Sequence, residues 1–266
     1  MNDKRRHPRI LVVVATVAVS IGLVAAGGAS YLMAPRLTPE MRGYDLAERL
    51  GCHGCHGPRG VGGVPNPKSD DVEIPAWDGG TAMMFVKNDA EIREWILDGM
   101  PQRLAHEHQG HHETEAGERH PLPVRMPAFR SAINEDELAD LVAYYKAVAV
   151  WDTMPDSAVR GHRTASQRGC FGCHGPGGMV GARNPRSFKG YIPPWRGKDF
   201  AELVRNEEEL RSWIRDGRIP RFESNPLARF FSPRQIIQMP AYRDALTDAE
   251  LDDVVAYIQW RSQKNR

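Results

Sequence analysis

The chain has 266 residues, of which 41% are hydrophobic and 26% charged, enough for one large domain or two of ordinary size. Four cysteines are too few for a disulfide-stapled scaffold, and no aromatic-studded basic stripe indicates nucleic-acid binding. The formal net charge is +1, but residues 1–35 carry +3, residues 36–151 carry −7 and residues 152–266 carry +5. We therefore expect a folded chain with two regions of opposite charge.

The first predicted element is a helix formed by an uncharged run from Ile10 to Ala34, which four basic residues precede. About 20 apolar residues span a bilayer core, so residues 1–35 are predicted to be a transmembrane anchor. Flanking basic residues stay in the cytoplasm, which predicts a single-pass protein of the cytoplasmic (inner) membrane with soluble domains in the periplasm or outside. A cleaved signal peptide is the alternative, although its apolar core is usually only about 7–15 residues long.

The remainder of the chain contains one unit twice. A shift of 118 residues matches the two units from Gly51 to Gly99, and a shift of 113 matches them from Met126 onward. The first unit therefore has five extra residues between Gly99 and Met126. Two copies are too few for a solenoid, so the repeat predicts two homologous domains, 36–151 and 152–266.

Each unit is predicted to be mostly α, with long Gly/Pro-rich loops and no convincing alternating strand. A short helix is predicted over Met41–Leu50, running into the first cysteine. Cap residues predict a helix from Asn88 or Asp89 that Gly99 ends, and last helices capped by Asn134 with Glu137 and by Thr247 with Glu250. Long loops in a domain of about 115 residues indicate that a large apolar cofactor fills the core.

The four cysteines form two C-x-x-C-H motifs, the attachment pattern of haem c. Two cysteines three residues apart reach the two vinyl groups of a porphyrin, and the adjacent histidine supplies the iron with a nitrogen ligand. A thioredoxin-like pair would follow a strand, and one zinc site would have to join pairs more than a hundred residues apart. We therefore predict two covalently bound haem c groups, one held by Cys52, Cys55 and His56 and the other by Cys170, Cys173 and His174.

A Met-Pro-Ala-aromatic segment precedes the last helix of each unit, beginning at Met126 and Met239. A methionine opposite the histidine suits electron transfer, and the proline stiffens the loop that must hold this weak ligand. Both methionines are therefore predicted to be iron ligands, with ordinary core packing as the alternative. Met100 is a rival in the first unit, but its counterpart is Arg218.

Trp77 and Trp195 occupy matching positions in Ile-Pro-x-Trp segments. Their indole nitrogens are candidates for hydrogen bonds to a haem propionate, and packing against the ring edge is the equal alternative.

The five extra residues of the first unit fall in a loop, residues 106–120, that is rich in histidine and glutamate. Imidazole suits copper and zinc, so the loop is a candidate metal site. We favour a solvated insertion, because local histidine clusters without regular structure often bind metals adventitiously. A histidine such as His120 is also a candidate to displace Met126.

Each unit resembles a class I c-type cytochrome domain, in which a helix ending in C-x-x-C-H, a Met-Pro loop and a crossing C-terminal helix enclose the haem. The tandem is similar to dihaem cytochromes such as cytochrome c4 and to the anchored dihaem subunits of haem–copper oxidases. The resemblance covers residues 41–262. It differs from cytochrome c4 in its longer domains, its Ile-Pro-x-Trp segments and its histidine-rich loop.

The resemblance implies an electron carrier, not an enzyme, that relays single electrons between respiratory or dehydrogenase partners, alone or as the cytochrome subunit of a complex. The opposite charges of the two regions would steer different partners or dock the domains to one another. A dihaem peroxidase or another oxidoreductase with one reactive haem in the first domain is the alternative. That function and a haem sensor both need an open iron, which Met126 argues against.

Overall fold

The computed structural model describes residues 6–263 except 68, 70–71, 79, 81 and 108–123. The described chain is mostly helical, as predicted. The helices up to the middle of the chain are α1 Arg6–Met33, α2 Pro39–Leu50, α3 His53–His56, α4 Ala82–Phe85, α5 Asp89–Asp98, α6 Gln102–Glu107 and α7 Glu135–Ala149. The remaining helices are α8 Asp156–Gln167, α9 Cys170–His174, α10 Gly197–Leu203, α11 Glu207–Asp216, α12 Pro220–Glu223, α13 Pro226–Phe231 and α14 Asp248–Gln263.

Helix α1 stands apart from the rest of the protein. Its segment Val12–Met33 is 22 residues long, apolar and 0% buried. At a rise of 1.5 Å per residue this segment is about 33 Å long, close to the thickness of a bilayer core. By length and composition, α1 is the one helix among the described residues that is able to cross a membrane.

In each globular part of the chain, one early helix packs across the last helix. Helix α2 packs across α7, and α8 packs across α14. The crossings are close because Gly43 faces the backbone carbonyl of Asp140 and Gly161 faces that of Asp253, so a Cβ atom at either glycine would clash with the opposite helix. The predicted packing of a C-terminal helix across the first helix is therefore present twice.

The predicted helix caps are confirmed. Asn88, and not Asp89, caps α5 by accepting a hydrogen bond from the backbone N–H of Glu91 at 3.0 Å. Asn134 and Glu137 form a reciprocal capping box, and Gly99 ends α5 in the left-handed conformation. Helix α2 begins two residues before the predicted start, because a proline is favoured in the first turn of a helix.

A short strand pair is present that the sequence did not predict. Strands β1 Val64–Pro65 and β2 Glu73–Ile74 pair antiparallel in the first unit. A strand of two residues is too short to produce alternating hydrophobicity, so no pattern marks it. In the second unit the corresponding contact is a single bridge between Arg183 and Tyr191.

The two globular parts pack against each other. Met179 and Val180, which follow α9, are buried in the same apolar cluster as Leu46 of α2 and Leu141 of α7. The guanidinium of Arg261, on the last turn of α14, donates a hydrogen bond of 2.9 Å to the carbonyl oxygen of Ala147. Ion pairs add to the contact, among them Arg196 with Glu40 and Arg36 with Asp199.

Candidate functional site

The first globular part encloses an apolar cavity of about 340 Å³. Four residues predicted to bind haem line it together, namely Cys52, Cys55, His56 and Met126. Cys52, Cys55 and His56 come from the segment at the end of α2 and from α3, and Met126 comes from the loop before α7. The walls are otherwise mainly apolar and aromatic, as expected for a cofactor site.

The second globular part encloses a larger cavity of about 450 Å³ with the same design. Cys170, Cys173, His174 and Met239 line it together. The structure thus brings the predicted cysteines, histidine and methionine of each unit to one cavity, although they lie about 70 residues apart in the chain.

The four cysteines are free thiols and are partly exposed to their cavities. Burial raises the pKa of the Cys52 and Cys170 thiols, so both are protonated at neutral pH. Two unpaired thiols beside a histidine in an apolar cavity fit covalent haem attachment. They do not form the electropositive setting of a reactive thiolate.

The histidine of each motif is oriented with one ring nitrogen held by the protein. Nδ1 of His56 lies 2.9 Å from the carbonyl oxygen of Pro75, which leaves Nε2 available to a metal. Burial lowers the pKa of His56, and it lowers that of His174 to about 4. Nδ1 of His174 is buried and makes no hydrogen bond of normal geometry. The backbone carbonyl of Pro193 raises the pKa of His174 and so offsets part of the effect of burial. Both imidazoles are neutral, the form that binds iron.

Trp77 and Trp195 lie beside these histidines, with ring centroids 5.0 Å from His56 and 5.0 Å from His174. Each indole packs over a glycine, Gly60 or Gly178, where a Cβ atom would clash with the ring. The tryptophans therefore fix the position of the segment that follows C-x-x-C-H. Their hydrogen bond to a propionate stays a prediction.

Two asparagines that carried no predicted role hold the methionine loops. The amide of Asn66 donates to the carbonyl of Val124 at 3.0 Å and accepts from its N–H at 3.1 Å. Asn184 makes the same pair of bonds with Ile237, at 2.8 and 2.9 Å. Each clamp lies two residues before the methionine. The repeated Asn-Pro dipeptide marked both positions in the sequence.

A glycine at the end of a helix supports each methionine loop from the other side. Gly99 and Gly217 have left-handed φ angles of 76° and 65°. A Cβ atom at either position would clash with the carbonyl oxygen of Met126 or Met239. Each glycine therefore ends its helix and also lets the methionine backbone approach.

A tyrosine of the last helix was also missed as a site residue. The hydroxyl of Tyr144 donates to the carbonyl of Arg59 at 2.9 Å, and that of Tyr257 donates to Gly177 at 3.0 Å. Both tyrosines are completely buried, and burial raises the pKa of both. They stay protonated and hold the loop that follows each C-x-x-C-H motif. Their matching positions in the repeat are the sequence pattern that marks them.

The structure describes only some of the residues that compete with Met126 as iron ligands. Met100 lines the first cavity, as Met126 does. Most of the histidine-rich loop, including His120, lies outside the described residues, and so do the side chains of His106 and Glu107. Within the described part of the chain, no group of three or more His, Cys, Asp or Glu side chains is placed to hold a metal ion.

Two models of known protein families match the globular parts of the chain. A family model described as Cytochrome c matches residues 40–149. A second model, described as Cytochrome C oxidase, cbb3-type, subunit III, matches residues 156–258. No curated protein and no solved structure matches the chain.

The two matches follow one another, and each covers one cavity with its C-x-x-C-H motif. Two cytochrome c domains imply two covalently bound haem c groups, and the free thiols, neutral histidines and apolar walls of the cavities fit such groups. The chain belongs to the class I c-type cytochromes, as a dihaem member built from two consecutive cytochrome c domains.

Proposed function

We propose that this electron-transfer protein is held in a membrane by α1 and relays single electrons between two redox partners outside the cytoplasm. The domain boundaries proposed for it are 36–151 and 152–266. The observation that carries the relay is the repetition of one complete ligand set. Each cavity is lined by the histidine of its C-x-x-C-H motif and by a methionine on a clamped loop.

The residue assignment follows from this arrangement. Cys52 and Cys55 would hold the first haem with His56 and Met126 as iron ligands. The second haem would be held in the same way by Cys170, Cys173, His174 and Met239. Haem iron ligated by histidine and methionine supplies reversible one-electron exchange at a raised potential. The chain's own contribution is to exclude water, hold the imidazole neutral and keep the methionine loop closed.

The clamps explain why the methionine, a weak ligand, would stay bound. Two hydrogen bonds from each asparagine fix the backbone two residues before the methionine. Two further backbone bonds fix the segment after it, from Phe129 to Ile96 and from Tyr242 to Ile214. A loop held on both sides loses little entropy when its side chain binds the metal. This arrangement favours a closed site and electron transfer over catalysis.

A spectroscopic experiment tests the ligand assignment. Methionine bound to oxidised haem iron gives a weak near-infrared charge-transfer band, and the native protein should show it at two-haem intensity without binding carbon monoxide. Met239→Ala should remove half of the band and open one iron to carbon monoxide. Met126→Ala should remove the other half of the band in every case. If a nearby histidine then binds the iron, the potential should fall and that iron should stay closed to carbon monoxide.

Met100→Ala is the matched control, because Met100 also lines the first cavity and should leave the band unchanged. If Met126→Ala leaves the band unchanged instead, the relay proposal fails for the first haem. Carbon monoxide binding to the native protein would then support a reactive, peroxidase-like haem in the first domain.

The membrane location and the partners are proposals of the same kind. A 22-residue unburied apolar helix supports an anchor, and the basic residues before it support a periplasmic or external position for the domains. The match to a subunit of cbb3-type oxidase supports membership of a respiratory complex. Washing membranes with high salt should not release the protein. A mature N-terminus near Ser30 would overturn the anchor.

A further inference from the structure

An exposed apolar patch lies on α13 and in the turn that follows it. Leu227 and Phe230 are one helical turn apart, and Ile236 follows, with exposed fractions of 55%, 52% and 63%. These three residues are called here the α13 patch. Leu227 also lines the second cavity, whereas Phe230 and Ile236 are not among the residues that line it. Isolated exposed apolar residues are common, but a cluster that includes an aromatic ring marks an interaction surface.

The charges around the α13 patch narrow the choice of partner. Arg229 and Arg234 are exposed beside it, and the guanidinium of Arg234 lies 4.0 Å from the centroid of the Phe230 ring. Residues 218–238 contain four arginines and one glutamate. Apolar side chains bordered by arginine are typical of protein surfaces that lie in the interface of an anionic bilayer.

Three consecutive contacts connect the α13 patch to the end of α1. The ammonium of Lys189 donates a hydrogen bond of 3.1 Å to the carbonyl of Ala34, the residue after α1. The adjacent Phe188 contacts Phe231, with ring centroids 5.3 Å apart. Phe231 in turn contacts Phe230 of the patch at 5.1 Å. The patch is therefore close to the point where the chain would leave the membrane.

The connection is rigid because the residues after α1 are fixed to the second domain. The backbone N–H of Arg36 donates to the Asp199 carboxylate at 3.0 Å, and its guanidinium pairs with Asp199 at 2.8 Å and with Glu202 at 2.6 Å. Asp199 is itself buried and accepts a hydrogen bond of 2.6 Å from the hydroxyl of Tyr191. The second domain thus sits directly on the end of α1 and not on a flexible linker.

We propose that the α13 patch lies in the interfacial layer of the bilayer that α1 spans, with anionic lipid headgroups against Arg229 and Arg234. This inference rests on the proposed role of α1 as a membrane anchor. The apolar side chains of the patch would enter the boundary between headgroups and acyl chains, where such groups reach a depth of about 5–10 Å. The membrane would then hold the second domain at two points, the helix and the patch, and fix the orientation of its cavity.

Fluorescence quenching in the full-length holoprotein tests the proposal. Phe230→Cys is labelled with an environment-sensitive fluorophore, and the protein is reconstituted into vesicles of phosphatidylcholine and phosphatidylglycerol. Lipids that carry a nitroxide near the headgroup should lower its emission by about twofold, because the label lies at that depth. Ile236→Cys is a second site in case Phe230→Cys does not fold. An unchanged visible spectrum confirms that each variant is folded.

Arg49→Cys is the matched control, because Arg49 has a side chain that is 69% exposed and lies near the far end of α2, eleven residues after Thr38. Its label should keep its emission. Emission that shifts to the blue at position 230 without nitroxide quenching would mean that protein covers the patch, and it would overturn the proposal. Vesicle flotation separates the two hypotheses. Protein that floats but is not quenched overturns only the α13 contact, whereas protein that does not float overturns the anchor as well.

Discussion

Replacing Arg261 is expected to weaken the contact between the two domains. Arg261 is 6% exposed, and its guanidinium donates to the carbonyl of Ala147 at 2.9 Å and to the hydroxyl of Tyr257 at 3.2 Å. It forms no ion pair with a described carboxylate. The positive charge instead lies against the C-terminal end of α7, where helix carbonyls carry partial negative charge. Arg261 is therefore a buried polar link between the two domains, which surface-side contacts such as the Arg196–Glu40 ion pair also join.

The expected change in the free energy of unfolding is the sum of two opposing effects. Arg261→Met leaves the Ala147 carbonyl without its partner, which costs about 1–3 kcal/mol. The change also removes the desolvation cost of a buried charge, which offsets part of that loss. We expect a net loss of about 2 kcal/mol, which corresponds to a fall of roughly 0.5 M in the guanidinium midpoint for a slope of about 4 kcal/mol per M.

The assay is guanidinium unfolding of the detergent-solubilised holoprotein, followed both by circular dichroism and by haem absorbance. Because the lost contact joins the domains, the transition should separate into two steps. Arg160→Met is the control, since Arg160 is exposed and pairs with Asp253 inside one domain, and it should cost about 0–1 kcal/mol. The reasoning is refuted if Arg261→Met behaves like this control and the transition stays single.

Three further predictions concern contacts inside the second domain. Gly161→Ala should prevent the close crossing of α8 and α14 and lower the thermal midpoint of that domain, whereas Ser166→Ala, at an exposed position of α8, should leave the midpoint nearly unchanged. Asn184→Ala should loosen the Met239 loop and weaken the near-infrared band of the oxidised protein, and an intact band would show that the clamp is not needed. The pKa of Glu209 is lowered first by its hydrogen bond with Arg221, so this pair contributes stability above the unfolded pKa of about 4.3 and loses it as the pH falls. Glu209→Gln should therefore be less stable than the native protein at pH 7 but equally stable at low pH, and a difference that persists in acid would contradict this account.

The sequence predicted the parts of the fold that local rules determine. Asn134 with Glu137 and Thr247 with Glu250 are capping boxes, and both form because a cap depends only on residues within one turn. The two C-x-x-C-H motifs were recognisable for the same reason, since their chemistry needs residues at a fixed short spacing.

Contacts between distant residues could not be predicted in this way. Nothing local indicates that Asn66 will bind the backbone of Val124, 58 residues later, or that Arg261 will reach Ala147 in the other domain. The repeat does mark such residues, because a pair that recurs at the same positions has a common role. The repeat gives no such indication for Arg261, because its counterpart in the first unit is Val148.

The contact between the two attachment segments has a kinetic consequence. Arg59 follows the first C-x-x-C-H motif, and its guanidinium lies 3.4 Å from the carbonyl oxygen of Gly172, which is inside the second motif. In the proposed relay, two sites joined in this way within one molecule would exchange an electron in a first-order step, whose rate does not depend on protein concentration. Only the encounters with outside partners would be second-order. In a cell that makes fewer copies of the protein, electrons would therefore be delivered to it and removed from it more slowly, whereas their transfer between the two sites would keep its rate.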